Sequence, residues 1–489
     1  MSVNPVGALL VALIQTPAAQ RPVDFGVVDS TVAALIRAGN LPGAALVIVH
    51  GDQIVHVRGF GAADGSGRPI TPDTPFFIGS TAKSLTAFAV MQLVDAGRID
   101  LDAPVIRYLP WFKLRDSVQS SKITVRHLMT HRSGIPESAC SEFLADRTID
   151  PAASEAQIRW LAGVQPSGPA GSKWSYCNLN FTIAGLVIEA ASGLSLAEYF
   201  RSRVFGPLDM RHSHTEWADA ALDGLAQGYQ YFFGLRFRSE MPANRGGLAH
   251  GYYIMSATDV GHFLIAELNQ GRYLDRQVLS PGAMAERHRG QVAVVEGRKN
   301  TIGWMEYTFK GTTALDHGGS LPTYQSRFMV FPKDGWAVGL LSNGNGGSSD
   351  LYFGAAAEQV AALVIGATPD PLSGRWVYPL LFSIFSVVPI LQLFGLRRGL
   401  LRFRGWRRDP ATRPSTRRDR IRKVIVPVVL ALFGGSVMAF GLPALFGSPL
   451  RVMRAFQADA GWMVTISGVA GLLWAAVLAV AGWRSWART

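Results

Sequence analysis

Cysteine is nearly absent: Cys140 and Cys177 are the only two in 489 residues. So few exclude a disulfide-rich scaffold and leave at most one bridge. In an oxidising compartment the two can join; two unpaired small side chains are the alternative. Lysine is scarce too. There are eight, and only Lys83 has a serine three residues before it. No internal repeat occurs, and no low-complexity tract beyond one arginine-rich segment, so a repeat architecture is excluded. Charged residues make up 17% of the chain against 48% hydrophobic, and the mean hydropathy of +0.18 is high for a purely soluble protein.

The apolar excess has an address. Three runs without a single charge follow residue 375: Trp376 to Leu396, Val424 to Phe446 and Gly461 to Trp483. Each reaches the ~20 residues that cross a ~30 Å hydrocarbon core as helix. Buried core helices are the alternative, but they rarely run so long without a charge. Pro379, Pro389 and Pro427 are compatible with spanning, because membrane helices tolerate proline.

The net charge of +12 is equally local. Segment 397–423 holds eleven arginines and one lysine against Asp409 and Asp419, which gives 12 − 2 = +10. A basic run alone suggests nucleic acid. Between two spanning helices it fits the positive-inside rule instead, with contact to anionic headgroups, and no nucleic-acid partner is expected. The expected layout is a multi-pass protein of the cell (inner) membrane. Segment 397–423 is a cytoplasmic loop, Gly447 to Ala460 an outer loop, and everything before 376 faces the periplasm or exterior. An export signal is then expected within residues 1–20. Val6 to Ile14 supplies an apolar core and Thr16-Pro17-Ala18-Ala19 a small-residue cleavage site, although no basic residue precedes Arg21. A buried N-terminal segment is the alternative.

Residues 21–368 read as one mixed α/β domain, joined to the membrane part by a linker at 369–375. Val27 to Ala38 has helical apolar spacing. Ala44 to His50 and Gln53 to Gly59 flank the turn Gly51-Asp52 as a hairpin. A long helix should follow Ser80 and stop before Gly97. Mostly helices and loops should fill the middle, including Leu179 to Ala191 and Ala257 to Leu268. Gln325 to Phe331 and Trp336 to Leu341 form a late hairpin, and Ala355 to Ile365 a closing helix. The sheet is therefore built from both ends of the domain, around a helical insertion.

The chemistry starts at Ser80 and Lys83, in Ile78-Gly79-Ser80-Thr81-Ala82-Lys83. Residues three apart share a helix face. A buried, neutral lysine can take the serine proton and make it a nucleophile without a histidine. A helix start with a solvated lysine is the alternative. Tyr176-Cys177-Asn178 is the only Tyr-x-Asn. A tyrosine near cations can relay a proton, and Asn178 can hold a substrate amide; a turn with a half-buried tyrosine is the alternative. His317-Gly318-Gly319-Ser320 stands just before the late hairpin. Its glycines allow a substrate backbone to approach, and the amides of Ser320 and Ser80 can form an oxyanion hole. A glycine turn is the alternative, and His288-Arg289-Gly290 is a rival His-x-Gly.

Ser-x-x-Lys, Tyr-x-Asn and His-x-Gly in this order resemble the class C β-lactamase and DD-peptidase group of serine hydrolases. Supporting stretches are Ile123 to Pro136, Gly171 to Asn178, Val204 to Met210, and Gly246-Gly247-Leu248 before Ser256-Ala257-Thr258-Asp259. The resemblance covers about 25 to 365. It implies a penicillin-binding/β-lactamase-like fold, an α+β sheet sandwiched by helices with an all-helical subdomain, here followed by transmembrane helices. It also implies roles. Ser80 is the nucleophile, Lys83 the base, alone or with Tyr176, and Tyr176 the donor to the leaving group. Asn178, His317 and Gly319 bind substrate, and Ser320 shares the oxyanion hole. No metal or organic cofactor is called for. Typical class C β-lactamases have lysine where His317 stands, which points away from antibiotic hydrolysis. The three C-terminal runs resemble membrane-bound peptidases that remove an acylated D-amino-acid leader from peptide prodrugs. A small-molecule or peptide substrate, a lipid bilayer and a transporter or biosynthetic partner are the expected associations. A β-lactamase, an esterase and a non-catalytic sensor are the other readings.

Overall fold

The computed structural model describes residues 22–347, 349–445 and 447–486, without the side chains at 381, 384, 385, 481, 482 and 484–486. The expected signal at 1–20 and the last residues of the tail lie outside the described residues.

Gly43–His50 is a continuous run of small and β-branched residues, buried at all but its last position. Such a run suits a strand covered on both faces. It turns at Gly51, which has φ +59°, into Gln53–Gly61. Its other edge pairs antiparallel with Trp336–Ser342, so the two ends of the domain meet in one sheet. The order across the eight strands is Gln53–Gly61, Gly43–His50, Trp336–Ser342, Tyr324–Phe331, Thr312–Leu321, Met305–Phe309, Arg298–Asn300 and Val292–Val295. The last four were not expected. Val292 to Asn300 alternates too briefly to read as strand, and the glycines of His317-Gly318-Gly319-Ser320 disguise the strand they occupy.

One sheet face packs on Phe25–Ala38 and Ser349–Val364, through Val28, Val32, Phe353, Ala357 and Val360. Asp24 caps the first of these helices by accepting from Gly26 N and Val27 N. The other face carries Ala257–Leu268. That helix lies close because Gly261 and Gly339 lack side chains: a Cβ on either would meet Val47 at 2.8 Å. Beyond it stands the helical subdomain, built around Ala82–Asp95 and Asn178–Ser192. Each fully buried Val, Leu or Phe in these two cores contributes about 1.5–3 kcal/mol. The fold is the expected mixed α/β sheet between helices with a helical C-terminal region.

Among the described residues two helices are long and apolar enough to cross a membrane, Arg417–Leu445 and Ala458–Val480. The first apolar run forms the leading part of a 32-residue helix, Val377–Arg408. Small residues set the contacts. Gly435 meets Gly471, Gly468 meets Ala439, and Gly395 lies under Trp474. Two expected loops are largely helical. Segment 397–423 continues the first helix to Arg408 and begins the next at Arg417, since arginine is a good helix former. The expected outer loop, 447–460, contains helix Leu450–Phe456 and docks on the α/β domain. There Arg451 pairs with Glu142, and Gln457 bonds Gly347 N and Asp350.

Candidate active site

Ser80 lies in the tight turn Gly79–Thr81 at the head of helix Ala82–Asp95. Gly79 has φ +57°, and a Cβ there would come within 2.7 Å of Ser320 N. The Thr81 and Ser326 hydroxyls converge on the Ile78 carbonyl, so the turn is tied to strand Tyr324–Phe331. Gly319 completes the fit. A Cβ on Gly319 would sit 2.1 Å from the Ile78 oxygen. Glycine is thus what allows the His317 strand to lie against the serine turn, with Ser320 N beside it.

The helix that carries Lys83 is apolar on nearly all sides and almost wholly buried, and Lys83 is 0% exposed. Its Nζ lies 3.1 Å from Ser80 Oγ and donates to the His250 carbonyl at 2.7 Å. The rings of Tyr176 and Phe181 flank it at 5.1 and 5.8 Å. Among the described residues no carboxylate pairs with it. Burial therefore holds its pKa well below the ordinary lysine value. In the neutral form one N–H serves His250, and the lone pair is free to face the Ser80 hydroxyl.

Tyr176 hydrogen-bonds Ser80, and burial pushes its pKa up to about 12 against the opposing effect of that bond. Burial thus favours the protonated phenol of Tyr176 and, at Lys83, loss of the ammonium proton. Sequence reasoning missed what holds it. His131 stacks on Tyr176 with ring centroids 4.5 Å apart. Its Nδ1 accepts from Cys177 N–H at 3.0 Å, which assigns the proton to Nε2. Burial first, then Lys83, holds this imidazole neutral. His131 also has φ +53°, a rare conformation for a side chain of its size. The only available signal was its place within the supporting stretch Ile123 to Pro136. Cys177 is further fixed by a disulfide to Cys140, which decides between the two readings of the pair.

Asn178 opens helix Asn178–Ser192, is half-buried, and has no side-chain hydrogen bond among the described residues. It lies outside the lining of the cleft, which measures about 460 Å³. Ser80, His131, Tyr176, Trp304 and His317 to Ser320 do line it. His317 stands half-buried on its strand. Its Nδ1 donates to the Gly318 carbonyl at 2.9 Å, and burial and Lys83 hold the ring below its usual pKa. Cross-strand pairing on the Met305 side ends at Asp316, so the backbone from His317 onward presents an open edge to the cleft. Two more residues escaped the sequence. Asn345 donates to Ser320 Oγ at 2.8 Å, and Asp316 neutralises Arg327 through bonds of 3.1 and 3.0 Å. The rival His288 is bound instead to the buried Glu267 at 2.7 Å.

The arrangement brings a serine hydroxyl, a buried amine whose pKa burial lowers, a phenol and two backbone amides to one cleft. A family model described as Beta-lactamase matches residues 28–363. Penicillin-binding protein 4 of Amycolatopsis lactamdurans is 30% identical over 335 residues, covering 65% of this chain and 86% of that protein. Protein flp of Staphylococcus aureus (strain MW2) is 24% identical over 65% of this chain, and the match spans 63% of flp. Among solved structures, the octameric penicillin-binding protein homologue from Pyrococcus abyssi aligns with TM-score 0.64 and 26% identity, over 71% of this chain and 79% of that one. D-alanine carboxypeptidase AmpC from Burkholderia cenocepacia aligns with TM-score 0.57 and 21% identity, over 69% and 99%.

Proposed function

The chain belongs to the Beta-lactamase family, and from that premise we propose that it is a membrane-anchored, extracytoplasmic serine hydrolase acting through a Ser80 acyl-enzyme. The observation that carries this is Lys83: wholly buried, without a carboxylate, its nitrogen 3.1 Å from Ser80 Oγ. Ser80 gives its proton to Lys83 as Oγ attacks the carbonyl carbon. The amides of Ser80 and Ser320 receive the oxyanion. As the scissile bond breaks, Tyr176 gives its proton to the leaving group and regains one from Lys83. Water then releases the acyl group and restores Ser80.

The substrate we propose is an amide beside a D-residue or a similar small acyl group, in a peptide or prodrug. The open strand edge after Asp316 supports it by offering main-chain hydrogen bonds to an extended peptide. His317 favours this over a dedicated β-lactamase. A neutral imidazole brings none of the full charge with which a lysine meets a substrate carboxylate, and with its Nδ1 proton on the Gly318 carbonyl it offers Nε2 as an acceptor to a substrate N–H or O–H. The chain is proposed to need no cofactor and no nucleic acid. A transporter that delivers substrate is the partner the membrane helices suggest.

A fluorophosphonate probe and a fluorescent penicillin test the enzyme on the full-length protein. Labelling that disappears in Ser80→Ala is expected. No labelling of the intact protein, or equal labelling of the variant, refutes the acyl-enzyme and leaves a non-catalytic sensor. Rates on a D-alanyl peptide, a cephalosporin and a short acyl ester then rank the substrate classes. For topology, a periplasm-active phosphatase fused after residue 422 should be silent and one fused near residue 455 active. The reverse pattern sinks the exported orientation.

A further inference from the structure

Beside helix Val377–Arg408 stands a hairpin that the catalytic reading does not use. Tyr229–Phe232 and Leu235–Arg238 pair antiparallel around a two-residue turn, Phe233 at φ +54° and Gly234 at φ +74°. Its sequence is unusual for an exposed turn: Phe232-Phe233-Gly234-Leu235-Arg236-Phe237-Arg238. Leu235 is 74% exposed and Phe237 39%. Water-facing hairpin tips carry small polar residues, because apolar side chains there gain nothing from folding.

The neighbours fix the height of this tip. The Phe233 ring packs edge-on against Phe382, centroids 4.7 Å apart. Phe382 is six residues beyond Trp376, roughly 9 Å along a helix that rises 1.5 Å per residue. Trp376 is 65% exposed and Trp462 45%, both at the outer ends of their helices. Exposed tryptophans at helix ends mark the headgroup level. The hairpin tip therefore reaches the depth at which interfacial segments bury their apolar face. Its cations sit on the other face of the same strand. Among the described residues neither Arg236 nor Arg238 pairs with a carboxylate; they contact the Asn40 carbonyl and Gln227. Two unpaired arginines just behind an apolar tip match anionic headgroups lying above acyl chains.

We propose that the hairpin tip, residues 232 to 237, inserts into the outer leaflet of the bilayer as a second membrane contact. This rests on the reading that the C-terminal helices span. The occupant is the lipid surface, because the apolar tip is continuous with the side of a membrane helix at Phe382. The contact has a consequence for the site. Tyr229 and Gln230 pair with Gly344 and Asn345, and Asn345 holds Ser320. The cleft is thereby set at a fixed orientation to the membrane plane rather than swinging on the 369–375 linker.

The native cysteines are joined, so an introduced cysteine is the only thiol for labelling among the described residues. Full-length protein with Leu235→Cys carries a nitroxide in vesicles of phosphatidylcholine and phosphatidylglycerol. Power saturation then compares access of oxygen with access of a nickel chelate. Leu432→Cys, on the apolar helix Val426–Ser436, reports spanning, and Leu274→Cys, exposed on the Arg272–Gln277 hairpin, reports water. The expected result is a lipid-like ratio at 235, several-fold above that at 274 and approaching that at 432. A water-like ratio at 235 with a lipid-like ratio at 432 overturns the hairpin contact and leaves the anchor standing. Water-like ratios at both positions overturn the two together.

Discussion

Gly319→Ala tests the oxyanion geometry with a single methyl group. The new Cβ would lie 2.1 Å from the Ile78 carbonyl oxygen and 2.2 Å from Ser326 Oγ. Ser326 can rotate, but the Ile78 oxygen is backbone, two residues before Ser80, and cannot. An ordinary carbon–oxygen contact needs about 3.3 Å, so the strand must retreat by about 1 Å. That retreat carries Ser320 N away from Ser80. Losing one oxyanion donor costs about 10²–10³ in rate, or roughly 2.7–4 kcal/mol of transition-state stabilisation. Overpacking should cost about 1–3 kcal/mol of stability, which leaves a folded protein. Gly318→Ala is the matched control, since a Cβ there meets no atom within 4 Å. The assay is the fluorophosphonate labelling rate of full-length protein, with thermal unfolding run in parallel. Gly318→Ala should label like the parent and Gly319→Ala at least about a hundredfold more slowly. If both variants label within about threefold of the parent, the oxyanion role of the Ser320 amide is refuted.

Lys83→Arg should abolish labelling, because a guanidinium cannot be deprotonated; retained labelling would exclude Lys83 as base. Lys83 also carries a stability signature. Its folded pKa lies below the 10.5 of a free lysine, so between the two values the unfolded chain binds more protons and stability rises with pH. Lys83→Met removes that dependence, and its Tm at neutral pH should equal or exceed the parent's while labelling is lost. Labelling of the parent should fall as pH drops through the lowered Lys83 pKa, in a rapid-quench pH series; a flat profile would mean that the amine is not the base. Tyr176→Phe preserves the stack on His131 and should slow acylation by about 10²–10⁴ without loss of fold, measured by the same labelling. Cys140→Ser opens a bridge spanning 37 residues, and should lower stability by about 3–4 kcal/mol in denaturant titrations under oxidising conditions; an unchanged midpoint would show that the bridge constrains nothing.

Ser80 and Lys83 were legible because their relation is local. Three residues on one helix fix it, whatever the rest of the chain does. The long apolar helices were legible for a similar reason, since length and missing charge suffice, and among the described residues two of the three runs fall in helices long and apolar enough to cross a membrane. The strand of His317 was not. Glycine lowers strand propensity, and only pairing with Tyr324–Phe331, set by tertiary structure, outweighs that. His131 was beyond reach for another reason. Its role depends on a positive φ and on a ring brought against Tyr176 from 45 positions away in the chain. Asn345 and Gln457 are of the same kind, because their partners, Ser320 and Asp350, are distant in sequence.

The protonation states of the site form one consistent set. Lys83, His131 and His317 are each pushed toward the neutral form by burial first. Tyr176 is pushed toward its neutral form by the same cause. Each would perturb the others if charged: a protonated Lys83 further disfavours protonation of both histidines. Of the charged side chains lining the cleft, Asp316 pairs with Arg327, and Arg298 and Asp350 balance in number. The resting cleft is therefore close to uncharged. On the proposed path, charge first appears when Lys83 takes the serine proton and the oxyanion forms. A new ammonium and a new oxyanion then stand close together in a poorly screened cleft, where their attraction is strongest. The two backbone amides meet the negative end and the His250 carbonyl the positive end, without moving. A permanent cation at position 317 would break this balance by holding Lys83 neutral more strongly and opposing its protonation during attack. His317→Lys should consequently slow acylation of a neutral acyl ester while improving the binding of substrates that carry a carboxylate. A variant in which both change in the same direction would refute the electrostatic account of His317.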